Sequence, residues 1–244
     1  MTPSEAIELG DTDPASITIR ITDEPVPPAT RAVVECWDAM RIDKPRLFNG
    51  TLLSYTEHRG SEITVRRDSY QRMAVQAVDA SLISPPVMQL SVTGLLVARD
   101  NAGKPHVFVG RRSHETRIYG GLWELGPAGG IDPPPVSHTS LNHLDVFRQL
   151  EIELHEETRL NIDWSAGPIV ALTIDRHATA ADIIMRMDVG SPLEDITPHA
   201  QPRKHRWEYE ATRWVACHEF EQFVLDAPCI PPTISLAKLV GALA

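Results

Sequence analysis

A chain of 244 residues with 42% hydrophobic and 23% charged residues is long enough to bury a sizeable core without disulfide bonds. Its 33 acidic and 23 basic residues leave a net charge of −10, which argues against binding to nucleic acid or to an anionic membrane. No apolar run approaches the ~20 residues that span a bilayer, no signal peptide is predicted, and three widely spaced cysteines predict a reduced, cytoplasmic protein.

The predicted elements before the proline pair Pro85-Pro86 alternate between strands and helices. Residues 1–15 are polar and acidic, and we expect them to form a loose tail. Alternating isoleucines then predict a strand at 16–21. After it come a helix at 30–42, two strands at 51–57 and 62–67, and a helix at 70–80. We therefore expect residues 16–86 to form an N-terminal α/β extension that ends at the prolines.

Residues 87–244 are expected to form the main domain. Its predicted strands lie at 90–98, 106–111, 169–174, 183–189 and 208–215, with a long helix at 141–160 and a short one at 219–225. Strands outnumber helices, and the helices are interspersed among them. That order of elements predicts an α/β (α+β) fold.

The long predicted helix carries the most informative pattern in the sequence. An apolar stripe begins at Phe147, and beside it Glu153, Glu156 and Glu157 recur at i, i+3 and i+4. This spacing predicts three carboxylates on one adjoining face of the helix. Like charges at such spacing cost roughly 0.2–0.5 kcal/mol per pair, a cost that a divalent cation would reverse. A solvated acidic face is the alternative interpretation.

This helix belongs to a segment that resembles the Nudix box. The family pattern is G-x5-E-x7-R-E-U-x-E-E-x-G-U, where U is apolar, and residues 152–160 (IELHEETRL) are similar to its core. Residues 121–132 (GLWELGPAGGID) resemble the strand and loop that lead into the box, with Gly129 as the box glycine. The resemblance spans about residues 89–239. It implies a Nudix-type α/β/α sandwich with a mixed sheet.

The resemblance also implies a metal site and an activity. Glu153, Glu156 and Glu157 match the metal-binding glutamates of the box, and the backbone carbonyl of Ala128 is a further expected ligand. Oxygen ligands of this kind suit Mg²⁺ or Mn²⁺. Nudix enzymes hydrolyse a nucleoside diphosphate linked to another group, and the metal orients the diphosphate and acidifies the attacking water. The expected enzyme is thus a pyrophosphohydrolase.

The chain departs from the family pattern at several positions. The stretch between the box glycine and Ile152 is longer than in the family, and the extra length lies in the loop 133–140. The first box glutamate has no counterpart, because the aligned position falls near Pro135. Ile152 replaces the box arginine, and Arg159 replaces the late glycine. We hypothesise that Arg148, one turn earlier, takes over the arginine's ion-pair role.

Hydrolysis would also need a general base and cationic contacts to the phosphates. The candidate bases are four carboxylates, Glu157, Glu208, Glu210 and Asp182. The candidate phosphate contacts are three arginines ahead of the box, Arg111, Arg112 and Arg117. The alternative for each is an exposed side chain that takes no part in catalysis.

The predicted extension bears on the substrate. Trp37, followed by residues 46–50 (RLFNG), resembles the segment before the Nudix domain in UDP-sugar pyrophosphatase-like members and implies a nucleotide sugar, with ADP-ribose close behind. The alternative is a packed turn in which Phe48 is buried. The expected partner is a small nucleoside diphosphate derivative, and a homodimer is left open. A second interpretation is a Nudix-fold nucleotide-binding or regulatory module without turnover, which the missing arginine favours and the retained glutamates oppose.

Overall fold

One mixed sheet runs through the chain in the computed structural model, which describes residues 4–45, 47–158, 160, 162–196 and 208–244. Its strands are β1 (Glu5–Thr12), β2 (Thr18–Thr22), β3 (Thr51–Arg59), β4 (Glu62–Ser69), β5 (Gln89–Arg99), β6 (Pro105–Arg112), β7 (Trp123–Leu125), β8 (Ala128–Gly130), β9 (Ser140–Asn142), β10 (Trp164–Asp175), β11 (Ala180–Val189) and β12 (Tyr209–Ala216). The α-helices are α1 (Arg31–Asp43), α2 (Tyr70–Val78), α3 (His143–Glu153), α4 (Phe220–Asp226), α5 (Pro231–Ser235) and α6 (Ala237–Gly241). The predicted α/β class is confirmed.

β5 is the strand around which the sheet is organised. One of its edges pairs in parallel with β11 from Gln89 to Val97. The other edge meets β3 at Gln89, β8 at Ser91 to Thr93 and β6 from Val97 to Arg99, each antiparallel. β3 continues to β4, β2 and β9, and β11 continues to β10 and β1. The extension and the main domain therefore contribute strands to the same sheet.

The two faces of β5 are covered by different helices. Leu90 and Leu96 belong to a core that also contains Val146 and Leu150 of α3. Leu95, on the opposite face, belongs to a core that contains residues of α4 and α6. This separation follows from the period of two in a strand, which sends successive side chains to opposite faces. The result is an α/β/α sandwich.

The extension has a small core of its own between α1 and α2, which includes Trp37. Beside this core, the buried carboxylate of Asp68 accepts hydrogen bonds from Arg66 Nη2 at 3.0 Å and from Arg72 Nε at 2.9 Å. The same two arginines donate to the backbone carbonyls of Pro86 and Pro85. A buried charge needs such partners. These hydrogen bonds hold the backbone at Pro85-Pro86, the expected boundary, against the extension.

The prediction of a loose tail is wrong for residues 5–12, which form β1 and pair with β10 from Glu5↔Ile174 to Thr12↔Ile169. The alternation expected of a strand is weak here because the segment EAIELGDT contains few apolar residues. Among the described strands, β1 pairs with β10 alone, largely through backbone hydrogen bonds. Such pairing leaves little trace in the side chains.

α3 ends earlier than the predicted helix at 141–160. It begins after Asn142, whose side chain and that of Asp145 form a capping box, and it ends at Glu153. Residues Leu154–Thr158 continue it as a π-helical turn, in which the Thr158 hydroxyl donates to the carbonyl of Leu154 at 2.6 Å. The apolar stripe is confirmed, since Leu154 is buried.

The extra length of the loop 133–140 leads into β9. This short strand pairs antiparallel with β2, from Thr18↔Asn142 to Arg20↔Ser140. Arg67 of β4 also donates to the carbonyl of Pro135 at 2.9 Å. The long loop thus allows the main domain to add a strand beside the extension.

The cysteines are free thiols, as the sequence predicted. Burial raises the pKa of Cys217 and of Cys229 to about 11, so both remain protonated and poorly reactive. Among the helices that the structure describes, none is long and apolar enough to cross a bilayer.

Candidate functional site

Glu153 and Glu157 converge on the short strand β8. Glu157 Oε2 accepts a hydrogen bond from the backbone N–H of Ala128 at 2.8 Å. Glu153 Oε1 accepts one from Gln149 Nε2 at 2.7 Å, and its carboxylate lies so close to Gly129 that a Cβ there would overlap it. Glycine is therefore needed at position 129 to let a carboxylate approach the backbone. The predicted box glycine and two of the predicted ligands meet in space.

The third predicted ligand is placed differently. Glu156 is exposed, whereas Glu153 and Glu157 are half-buried. The π-turn has more residues per turn than an α-helix, so the predicted α-helical spacing does not hold for Glu156 and Glu157. Within the described residues, no three His, Cys, Asp or Glu side chains are gathered into a group that could hold a metal ion. Two of the three predicted ligands thus converge on β8, and the role of Glu156 as a third ligand stays a prediction.

The two converging carboxyl groups share an unfavourable electrostatic environment. Burial raises the pKa of Glu153 to about 7, and the charges of Glu156 and Glu208 add to the effect. Burial also raises the pKa of Glu157 well above its usual range, with further contributions from Glu124, Glu153 and Glu208. A divalent cation would offset this repulsion. Oxygen donors fit Mg²⁺, which is commonly held by one or two protein carboxylates and several waters.

A buried ion pair lies behind these glutamates. Arg112 of β6 donates through Nη1 to both carboxylate oxygens of Glu124 of β7, at 2.7 and 2.8 Å. Burial nevertheless raises the pKa of Glu124, which is only 3% exposed. Tyr209 of β12 completes the group, and its hydroxyl donates to Glu157 Oε2 at 3.1 Å. Burial and the nearby carboxylates raise the pKa of this phenol well above its usual value, so it remains a donor.

Arg112, rather than Arg148, is the arginine that lies near the glutamates. Arg148 is exposed and forms no ion pair with any residue that the structure describes. Burial alone would lower the pKa of Arg112, but the charges of Glu124 and Glu157 raise it above its usual value. The positive charge near the glutamates thus comes from a strand of the sheet.

A cavity of about 200 Å³ adjoins the glutamates across β8. Ser91 and Thr93 line it from the face of β5 that also carries Leu95, so it lies on the side of α4 and α6. Glu153 and Glu157 reach β8 from the side of α3. The polar and charged side chains of the lining include Gln89, Ser91, Thr93, Arg112, Tyr119 and Asp182. The cavity and the two glutamates therefore both adjoin the backbone of β8 at Ala128 and Gly129.

The three candidate arginines have different surroundings. Arg112 and Arg117 both line the cavity. Arg111 does not, since its guanidinium lies 3.7 Å from Glu210 and 5.9 Å from the centre of the Trp123 ring. Two of the three arginines are thus placed to meet a ligand in the cavity.

The candidate bases also differ in their surroundings. Asp182 lines the cavity, and burial together with the charge of Glu124 raises its pKa to about 7. Glu208 is half-buried, and its pKa is raised mainly by burial. Glu210 points to the turn after β6, where it accepts a hydrogen bond from the backbone N–H of His114 at 3.0 Å. Glu210 is thus engaged away from the converging glutamates.

The segment that resembles UDP-sugar pyrophosphatases lies apart from this site. Among the described residues, none from the extension lines the cavity. Phe48 is 77% exposed, so the expectation of a buried turn is wrong, although Asn49 Oδ1 does accept a hydrogen bond from the N–H of Gln71. Arg46 lies outside the described residues.

Sequence reasoning missed Tyr209 and Glu124. Tyr209 stands between Glu208 and Glu210, two of the four candidate bases, and its hydroxyl donates a hydrogen bond to Glu157. A buried tyrosine in a strand usually packs in a core, so its type and position gave no signal. Glu124 was part of the resemblance, yet a single acidic residue in a predicted strand does not reveal a partner.

No family model matches the chain, and no curated protein matches it. Similar solved structures include a Nudix hydrolase from M. smegmatis, 18% identical, with 64% of this chain and 84% of that chain covered and a TM-score of 0.40. A Nudix hydrolase from Alicyclobacillus acidocaldarius is 14% identical, with 64% and 91% covered and a TM-score of 0.42. The Nudix domain of Shewanella oneidensis NrtR, solved with ADP ribose, is 15% identical, with 70% and 98% covered and a TM-score of 0.41. At such TM-scores the likeness alone does not assign this chain to a family.

Proposed function

We propose that the protein hydrolyses the diphosphate of a nucleoside diphosphate joined to another group, with Mg²⁺ or Mn²⁺ as its cofactor. The observation that carries this proposal is the convergence of Glu153 and Glu157 on Ala128 and Gly129 of β8. The box resemblance implies this arrangement, and the oxygen donors suit a hard cation. Glu156 and the carbonyl of Ala128 are the further proposed ligands.

A bound cation would neutralise the diphosphate and acidify the attacking water. The side chains of the chain supply the other steps. We propose Glu208 as the base that takes the proton of the water, because it is half-buried and close enough to Glu153 and Glu157 for its charge to raise the pKa of both. Arg112 and Arg117 would bind phosphate oxygens. Water attacks one phosphorus atom, the bond from that atom to the bridging oxygen breaks, and two phosphate esters leave.

The proposed substrate is a nucleotide sugar, with ADP-ribose as the next candidate. The cavity of about 200 Å³ is lined by amide, hydroxyl and carboxylate groups, which are suited to hydroxyl-rich ligands. The resemblance of the extension to UDP-sugar pyrophosphatases points to the same class. A UDP-sugar would yield UMP and a sugar 1-phosphate.

The test is a panel of UDP-sugars, ADP-sugars and ADP-ribose with Mg²⁺ or Mn²⁺, with products separated by ion-exchange chromatography. We expect metal-dependent release of a nucleoside monophosphate, which EDTA abolishes. A panel without any metal-dependent cleavage would contradict the proposal.

A binding module without turnover is the second candidate. It is favoured by one observation, namely that the described residues do not bring three ligands together. Calorimetric titration with the same panel separates the two functions. Binding without product formation, in the presence of Mn²⁺, would support the module.

Gly129→Ala tests the approach of Glu153 to β8. The added Cβ would overlap the Glu153 carboxylate, which is the end of a flexible chain and can swing away. We therefore expect the free energy of unfolding to change by less than about 1 kcal/mol. Turnover should fall roughly 10²-fold, as is usual for a misplaced catalytic group.

Gly190→Ala is the matched control for this change. A Cβ at position 190 would meet no atom closer than 3.7 Å, so both stability and turnover should stay unchanged. The two quantities are measured by chemical denaturation and by steady-state kinetics. Normal turnover in Gly129→Ala would show that the position of Glu153 does not matter.

A further inference from the structure

We infer that Tyr209 is a positioning residue, which holds one oxygen of Glu157 so that the other faces the metal. This inference rests on the proposed function. Its basis is the pair of hydrogen bonds at Glu157 Oε2, from the Tyr209 hydroxyl at 3.1 Å and from the N–H of Ala128 at 2.8 Å. Among the described residues, Oε1 accepts no hydrogen bond.

The position of the tyrosine ring is set by two glycines. A Cβ at Gly110 of β6 would lie 2.5 Å from ring atoms of Tyr209. A Cβ at Gly126, just before β8, would overlap the hydroxyl oxygen. The ring also packs edge-on against Phe108, with 6.3 Å between ring centres. The glycines therefore make the room that lets the hydroxyl reach Glu157.

Glu157 needs this support because of where it lies. It belongs to the π-turn Leu154–Thr158, which does not continue the regular hydrogen bonding of α3. Two donors, one from β8 and one from β12, fix its carboxylate to the sheet. A side chain held in this way loses little entropy when it binds a cation.

Tyr209→Phe removes the hydroxyl and keeps the ring. We expect kcat to fall about tenfold and the dissociation constant of Mn²⁺, measured by electron paramagnetic resonance with the metal alone, to rise by a similar factor, the size expected for one hydrogen bond to a charged group. KM should change less than twofold. Tyr55→Phe is the matched control, because Tyr55 bonds to His58 in the extension, and it should leave all three values unchanged.

A cycle of Tyr209→Phe, Glu157→Met and the double variant tests the contact itself by thermal unfolding, because methionine has no oxygen that could accept the hydrogen bond from Tyr209. Coupled residues give a double variant whose shift in Tm differs from the sum of the single shifts. Additive shifts would overturn the inference, and so would wild-type kcat and Mn²⁺ affinity in Tyr209→Phe. If the wild-type protein neither binds Mn²⁺ nor hydrolyses any substrate, the proposed function fails and the role of Tyr209 toward a metal falls with it. Coupled shifts would then mark a contact that serves folding alone.

Discussion

Glu157→Gln is expected to lower kcat at least ~10²-fold while leaving the protein as stable as the wild type or more stable. Glutamine keeps an oxygen that can accept the hydrogen bonds from Ala128 and Tyr209. It cannot neutralise a cation, and the loss of one electrostatic contact in an active site typically lowers kcat about 10²–10³-fold. Because burial raises the pKa of Glu157 well above its usual range, a neutral side chain avoids the cost of a buried charge.

Opposite changes in activity and stability would distinguish a functional carboxylate from a structural one. Glu151→Gln is the matched control, because Glu151 is an exposed glutamate of the same helix and both quantities should stay unchanged. Turnover and Tm are measured on the same preparations. Wild-type turnover in Glu157→Gln would remove Glu157 from the site.

Arg112→Met should cost about 3–5 kcal/mol of unfolding free energy, because it leaves the buried carboxylate of Glu124 without its partner. Arg112 binds both oxygens of Glu124 and also donates to the carbonyl of Ile118 at 3.2 Å. Methionine keeps most of the length of the side chain, so lost packing contributes little. Urea denaturation measures the loss.

The pH dependence of this loss has a definite sign. Burial already raises the pKa of Glu124, and removal of Arg112 would raise it further. A carboxyl group with a raised pKa in the folded state binds a proton more tightly there than in the unfolded chain, so protonation restores stability. The deficit of Arg112→Met should therefore be larger near pH 8 than near pH 5.

Two further variants complete this test. Arg111→Met changes the neighbouring arginine, which is half-exposed and 3.7 Å from Glu210, so it should cost less than about 1 kcal/mol. The double variant Arg112→Met with Glu124→Leu should recover most of the stability, since a buried pair can be replaced by apolar side chains. A full deficit in the double variant would show that packing around Arg112, rather than its charge, is what matters.

The sequence predicted those strands and helices in which apolar residues recur with a regular period. The alternation of Ile17, Ile19 and Ile21 and the stripe that ends at Leu154 predicted which side chains are buried, because burial of apolar groups produces these periods. The meeting of Gly129 with Glu153 was also implied by the resemblance. β8, with only Ala128-Gly129-Gly130, repeats nothing, and it becomes a strand because β5 offers it backbone partners.

The site depends on features that a linear pattern does not contain. Glu156 and Glu157 lie in a π-helical turn, which the spacing of the glutamates does not predict. The pairing of Arg112 with Glu124 joins two strands across a turn, and it followed from neither residue alone. Tyr209 reaches Glu157 across 52 positions of sequence. Contacts of this kind are set by the packing of the whole sheet.

β1 also determines which strand forms the exposed edge of the sheet. A strand at the edge of a sheet has free backbone groups that can pair with a second chain, and charged side chains on such a strand discourage this. Glu5 and Glu8 lie on the outermost strand, next to β10. A chain shortened by residues 4–12 would expose Trp164–Asp175, a longer and more apolar strand, and would be prone to aggregate. We therefore expect Glu5 and Glu8 to disfavour pairing of β1 with a second copy of the chain.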